Sequence, residues 1–301
     1  MSVSKHKRIA VFGACGYLGR HLCADLSMRG FAYDAYDLRQ EGDAKIEKFS
    51  PCDVSDPDFF STFAPESYDG IVFLAGLSGP ERSFERPERF VQVNVLGLVN
   101  LLQRLAPFGA NAPRVIFPSS RLVYEGGGVV DENATRRSRS VYAATKVAAE
   151  ELLSAYEARF GVPSVVLRIC ALYGNLLSTD YSYGTMEFFI SQCRRGQSIL
   201  VYGDGQCRKT YTYIGDLCEV ISRCLERNLP SGRYNVGGCD YSLQEVAHLV
   251  ARRFGGTVQN VPWPENALRV EMGNISLDAS RLDDAVGKIP YRRLEDFIER
   301  V

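Results

Sequence analysis

A short apolar run that stops on glycine and passes at once into a helix is the feature of this chain that leaves the fewest folds open. RIAVFG (8–13) leads directly into GACGYLG (13–19), and Leu18, Leu22 and Leu26 then recur at helical spacing until Gly30 provides a stop. FAYDAYD (31–37), IVFLAG (71–76), RVIFPSS (114–120) and SVVLRIC (164–170) continue the pattern as further strands, with helices expected over 89–108 and about 141–160. Apolar strands alternating with helices predict an α/β fold built on a doubly wound parallel sheet, because each buried strand needs helices over both faces.

After Tyr173 the rhythm changes to glycine-rich and tyrosine-rich loops, a helix over about 184–195 and a strand at ILVYG (199–203). This predicts a second, smaller α/β unit. The expected division is 1–172 and 173–301, with part of about 209–236 returning to the first unit, and no repeat, charge block or low-complexity linker marks the boundary. With 301 residues, 46% of them hydrophobic and 24% charged, the chain can bury a full core. Its net charge of -1 gives no electrostatic reason to expect nucleic acid or an anionic membrane as partner. The basic head of MSVSKHKRIAVFG is followed by an apolar run too short for a signal core or a membrane span, so a cytoplasmic location is expected. None of the nine cysteines forms a CxxC pair, so most are expected reduced and buried; the three histidines lack ligand spacing, and no metal is expected.

The glycine turn suits a pyrophosphate. Gly13, Gly16 and Gly19 permit a tight turn and close backbone approach, and the free N–H groups at the helix start, from Tyr17 and Leu18 onward, favour negative charge. Asp37 ends the second strand 18 residues beyond Gly19, near the ~20-residue offset at which an acid holds the adenosine ribose hydroxyls. A carboxylate there would repel a 2'-phosphate, so NAD is preferred to NADP, with Arg39 the one neighbour that argues otherwise. CDV (52–54) follows the next strand. Asp53, beside Val54, reads either as an acceptor from the adenine amino group or as a helix cap before SDPDFF.

Tyr142 and Lys146 stand four apart in VYAATKVAAE and so share a helix face, while Ser119 and Ser120 end the strand RVIFPSS, where a doubly wound sheet presents side chains to its ligand. The G13-xx-G16-xx-G19 spacing, AGLSG (75–79), Asn94, Ser120 and Y142-xxx-K146 together resemble the extended short-chain dehydrogenase/reductase family, in its sugar-nucleotide epimerase/dehydratase branch. The resemblance implies a Rossmann domain that binds NAD. It implies that Tyr142 exchanges a proton with a sugar hydroxyl, that Lys146 lowers the tyrosine pKa and holds the nicotinamide ribose, and that Ser120 hydrogen-bonds the reacting oxygen. It also places Leu74, Ala75 and Gly76 beside the pyrophosphate and gives Asn94 the task of steadying the backbone around the site.

Departures from the family pattern narrow the reaction. Arg121 and Leu122 stand where dehydratases carry an acidic pair, which argues against elimination. RICALYG (168–174) has Ala171 in place of the usual asparagine, and Lys209 stands at the usual arginine of GDGQCRKTYTYIGDL (203–217). Ser78, Ser120, Arg121, Lys209 and Arg269 are the expected substrate contacts, although Arg269 reads equally as a surface arginine. Cys170, at a strand end, reads as a buried thiol before it reads as an acid or base. The reading is an NAD-dependent epimerase of a nucleoside-diphosphate sugar, acting at C4 through a transient ketone. A reductase of a nucleotide-linked 4-keto-6-deoxy sugar is the alternative, and a non-catalytic NAD-binding sensor a more distant one. The resemblance further implies a homodimer through helices 89–108 and 141–160.

Overall fold

The computed structural model describes residues 7–38, 46, 48–177 and 183–301; Arg39 lies outside them. Fourteen strands occur among the described residues: β1 (Arg8–Phe12), β2 (Ala32–Asp37), β3 (Phe49–Pro51), β4 (Gly70–Phe73), β5 (Arg114–Ser120), β6 (Gly128–Val130), β7 (Ser164–Ile169), β8 (Ala171–Tyr173), β9 (Ile199–Tyr202), β10 (Arg208–Tyr213), β11 (Gly232–Asn235), β12 (Cys239–Ser242), β13 (Val258–Val261) and β14 (Ile275–Leu277). Seven of them form one sheet in the order β11-β7-β5-β4-β1-β2-β3. β1 pairs in parallel with both β2 and β4, so the winding reverses between β1 and β4, and ligands of such sheets sit at the carboxyl ends of the strands beside that reversal. At this end Phe12 is paired with Tyr36 and with Phe73, and its ring stacks on Tyr36 at 4.8 Å. Phe59, Phe60 and Phe63, from the short helix Pro57–Thr62 and its end, surround the same ring. Six phenyl and phenol rings thereby fix the strand ends that carry the candidate cofactor residues.

Two helices matter most for the site. Val141–Phe160 starts where Ser140 accepts a hydrogen bond from Ala143 N, and it stops at Gly161, whose φ of 81° lets its N–H turn back to Glu157 O. The continuous helix expected over 89–108 is instead a chain of four pieces: Pro87–Val91, a π turn at Gln92–Leu96, Gly97–Leu105, and a 3-10 segment Ala106–Asn111 interrupted at Gly109. Leucine spacing conceals the π turn, because one extra residue shifts the apolar face by only part of a turn.

The chain divides into two compact units. The first comprises 1–119, 140–167 and 221–233; the second comprises 120–139, 168–220 and 234–301. Residues 120–139 and 168–172, expected in the first unit, lie in the second, and 221–233 falls within the segment of about 209–236 expected to return to the first. Residues 120–139 belong to the second unit because β6 pairs with β14, Gly128 lying opposite Ile275, and the returning segment is 221–233. In the second unit β10 is central, antiparallel to β12 and parallel to β14 and β8. All nine cysteines are free thiols, six of them buried. Burial pushes the thiols of Cys23, Cys52 and Cys224 up to about 12, which leaves them protonated and inert at neutral pH.

Candidate active site

A cavity of about 290 Å³ opens at the carboxyl ends of β1, β2 and β4. Gly13, Gly16, Asp37, Asp53, Val54, Leu74, Ala75 and Gly76, all expected cofactor residues, line it together with Leu77, Arg89 and Val93. Tyr17, Leu18 and Gly19 instead form the first turn of the helix behind the loop, where Tyr17 is buried with its ring against His21.

The three glycines serve different ends. Gly13 has φ 82°, and a Cβ there would lie 2.6 Å from Ala75 N; at Gly19 it would lie 2.2 Å from Gly13 O. Both are required by the fold itself. At Gly16 the nearest protein atom to an added Cβ is 3.4 Å away, and its φ of -71° and ψ of 172° suit any residue. Only something occupying the cavity needs glycine there. Gly16 also caps the helix without a side-chain bond, and the positive end of the helix dipole at this turn favours an anion.

The two acids at the adenosine end are held in place. Asp37 Oδ2 accepts from Cys15 N at 2.8 Å, which ties the end of β2 to the glycine turn. Asp53 Oδ1 accepts from Ser55 N at 2.9 Å and Ser55 Oγ at 2.6 Å. Burial acts to raise the Asp53 pKa, but these bonds and the Arg89 guanidinium outweigh it and hold the carboxyl below its usual range. The helix cap of this segment is Asp56, whose carboxylate accepts from Asp58 N, so Asp53 is spared that task and lines the cavity. Arg89, 3.5 Å from Asp53, had no signal in the sequence: it precedes Asn94 by five residues and matches no motif.

Tyr142 and Lys146 share the expected helix face, the Lys146 nitrogen lying 5.9 Å from the Tyr142 ring centre and 4.5 Å above the Phe117 ring. Lys146 Nζ donates to Pro118 O at 2.8 Å, which ties the helix to β5. Burial of the ammonium pushes its pKa down to about 8, against the opposing pull of Glu150 one turn further on. Glu150 is fully buried; its Oε1 accepts from Ser119 Oγ at 2.5 Å and its Oε2 lies 3.1 Å from Arg233 Nε. Its 4-residue offset from Lys146 was the available signal for it.

Asn94 is the knot between cavity and helix. Its Oδ1 accepts from Leu77 N at 2.7 Å, and its Nδ2 donates to Leu77 O at 3.0 Å and to Thr145 Oγ1 at 3.1 Å. Leu77 lines the cavity and Thr145 sits between Tyr142 and Lys146, so one buried amide in the π turn fixes both.

In the second unit, Ser120 ends β5 and its Oγ accepts from Leu122 N at 3.2 Å. Lys209, on β10, lies 3.6 Å from Glu271. Ser78 is exposed in the loop after β4, and Arg269 is an exposed side chain paired with Glu265 on its own short helix. Cys170 stands just before β8, half-buried, and burial pushes its thiol up, which does not suit it to serve as a base at neutral pH.

The family model described as "NAD dependent epimerase/dehydratase family" matches residues 9–237. A putative UDP-glucose 4-epimerase of Methanocaldococcus jannaschii is 24% identical over 97% of this chain and 96% of its own length. A UDP-N-acetyl-alpha-D-glucosaminuronate decarboxylase of Bacillus cytotoxicus is 27% identical over 80% of this chain and 78% of its own. Among solved structures, the UDP-glucose 4-epimerase of Thermus thermophilus in complex with NAD superposes with a TM-score of 0.82 at 26% identity, covering 97% of this chain and 96% of that one. The residues found here fit the same dinucleotide: an open glycine at a helix start for the pyrophosphate, a held carboxylate at the strand end for the ribose, and a buried lysine beside a tyrosine. On this match and this fit, the chain belongs to the NAD-dependent epimerase/dehydratase family of the extended short-chain dehydrogenase/reductase type, an enzyme family whose cofactor is NAD.

Proposed function

We propose that the protein is an epimerase of a nucleoside-diphosphate sugar, inverting C4 through a transient 4-keto sugar with Tyr142 as acid and base. The observation that carries this reading is the pairing of an intact Tyr142/Lys146 helix, tied through Asn94 to the cofactor cavity, with Arg121 and Leu122 where elimination would need an acidic pair. NAD supplies a hydride acceptor that can also return the hydride. Tyr142 takes the proton of the C4 hydroxyl as the C4 hydride departs, and gives it back to the ketone oxygen when hydride returns to the other face. Lys146 lies on the same face and favours the phenolate, and its hydrogen bond to Pro118 O fixes where its charge sits. Ser120 supplies a hydroxyl to the reacting oxygen, and Asp37 holds the adenosine ribose. Relatives in the family act on neutral and acidic sugars, so family membership supports the nucleotide-sugar class and leaves the sugar open. The homodimer belongs to the same proposal; it is supported by Val91 and Leu96, exposed apolar residues in and beside the π turn.

Tyr142→Phe is the test. It removes one oxygen and leaves every contact of the ring, so kcat should fall by ~10³-fold, within the range of lost acid–base catalysis, with NAD binding unchanged. Near-normal turnover in that variant would sink the assignment.

A further inference from the structure

The second unit contains a group of cations with too little negative charge around it. Arg121 opens the turn that follows Ser120, and its Nη1 is buried with no hydrogen-bond acceptor among the described residues. Lys209, largely buried on β10, feels the Arg121 charge: burial first and Arg121 second push its pKa down, while Glu271 opposes them. Glu271 is a weak counterweight. It stands 3.6 Å from the Lys209 nitrogen, and its Oε1 is already engaged by the backbone N–H groups of Met272 and Gly273. The two thiols nearby, Cys170 and Cys207, are both pushed up by burial and carry no charge at neutral pH. Arg208, the next residue along β10, does not share in the deficit because Asp240 and Glu245 pair with it. Arg139 adds a further cation, its guanidinium donating to Glu271 O at 2.7 Å, so positive charge is in excess around the one carboxylate of Glu271, with a guanidinium N–H of Arg121 facing no acceptor.

A buried donor without a partner is accounted for by a ligand, an ion, a water or local strain, and at Arg121 the setting favours a ligand. Here the residue directly follows the one expected to touch the reacting oxygen, and its planar fork matches a carboxylate better than any other sugar substituent. We propose that Arg121, backed by Lys209, receives a carboxylate carried by the sugar, so that the substrate is a nucleoside-diphosphate uronate and not a neutral hexose. The proposal rests on the nucleotide-sugar reading above and narrows it. The competing role, in which both cations grip the diphosphate common to all such substrates, predicts no preference between acidic and neutral sugars.

Calorimetric titration of the NAD-loaded protein with matched pairs, UDP-glucuronate against UDP-glucose and UDP-galacturonate against UDP-galactose, separates the two. The uronates should bind at least ~10-fold more tightly, the scale of one charge-assisted bidentate contact. In Arg121→Leu the members of each pair should converge to within ~2-fold, and Arg121→Lys, which keeps the charge and loses the fork, should fall between. NAD binding by each variant serves as the control for folding, and the wild-type ratio decides the matter even if Arg121→Leu does not fold. Equal wild-type affinities within a pair, or a loss in Arg121→Leu that is the same for acid and neutral sugar, overturn the uronate assignment and leave the nucleotide-sugar reading standing. Absence of binding by all four sugars and by UDP, GDP, CDP and dTDP would instead bring down the nucleotide-sugar reading itself.

Discussion

At the scale of single residues, the glycine turn separates what the fold needs from what the ligand needs. Gly19→Ala forces a Cβ to 2.2 Å from Gly13 O and 2.7 Å from Ala14 Cα, both backbone atoms that cannot step aside. Chemical denaturation should show a loss of about 2 kcal/mol or more, the scale of an overpacked core. Gly16→Ala meets nothing closer than 3.4 Å and should leave stability within about 1 kcal/mol while weakening NAD binding by ~10-fold, as read by fluorescence titration. Equal effects from the two variants would contradict this division. Lys146 offers a second test. With its pKa lowered from 10.5 to about 8, the folded chain releases this proton before the unfolded chain does. Its contribution to stability therefore rises with pH across the window from about 8 to 10.5 and is flat below it. Carbon-13 NMR of labelled lysine side chains should show one resonance titrating near 8, absent in Lys146→Met. The pairing of Tyr142 with Lys146 was legible because helical spacing fixes which residues share a face. Arg89 was not, since its approach to Asp53 depends on how the short helix Pro87–Val91 meets a loop distant in sequence.

Among the elements, the π turn has the most influence on the site. It carries Asn94, whose three hydrogen bonds hold Leu77 on the cavity side and Thr145 on the catalytic helix. Asn94→Ala strands the Leu77 amide and carbonyl, and each group left without its bond costs about 1–3 kcal/mol. Thermal unfolding should move down by several degrees. Hydrogen exchange should speed at residues 75–77 more than in β1, and a uniform loss of protection would contradict the local role given to this amide. The strands β1, β2, β4, β5 and β7 were legible as apolar runs between breakers, and the observed ends lie within a few residues of those expected. The π turn was hidden because an apolar face persists through it: Val93, Leu98, Leu101 and Leu102 are all buried although the register slips between the first and the second.

For the whole molecule, the doubly wound sheet was written into the alternation of strand and helix, but the borders of the two units were not. Residues 120–139 join the second unit through the pairing of β6 with β14, a partner far away in sequence, whereas 221–233 lies within the segment expected to return to the first. Local patterns carry no record of such pairings. The distribution of cysteines makes the two units separately observable. Of the six buried thiols, Cys15, Cys23, Cys52 and Cys224 lie in the first, while Cys193 and Cys218 lie in the second. A thiol that is buried and protonated reacts with an alkylating reagent only when its surroundings open. Pulses of iodoacetamide along a urea series, read by mass spectrometry, should therefore label the first set at higher urea when NAD is present and leave the labelling of the second set less changed. Equal shifts in both sets would mean that the two units open as one. In its unlabelled form the enzyme already contains six clocks, stopped for as long as the surrounding side chains stay packed.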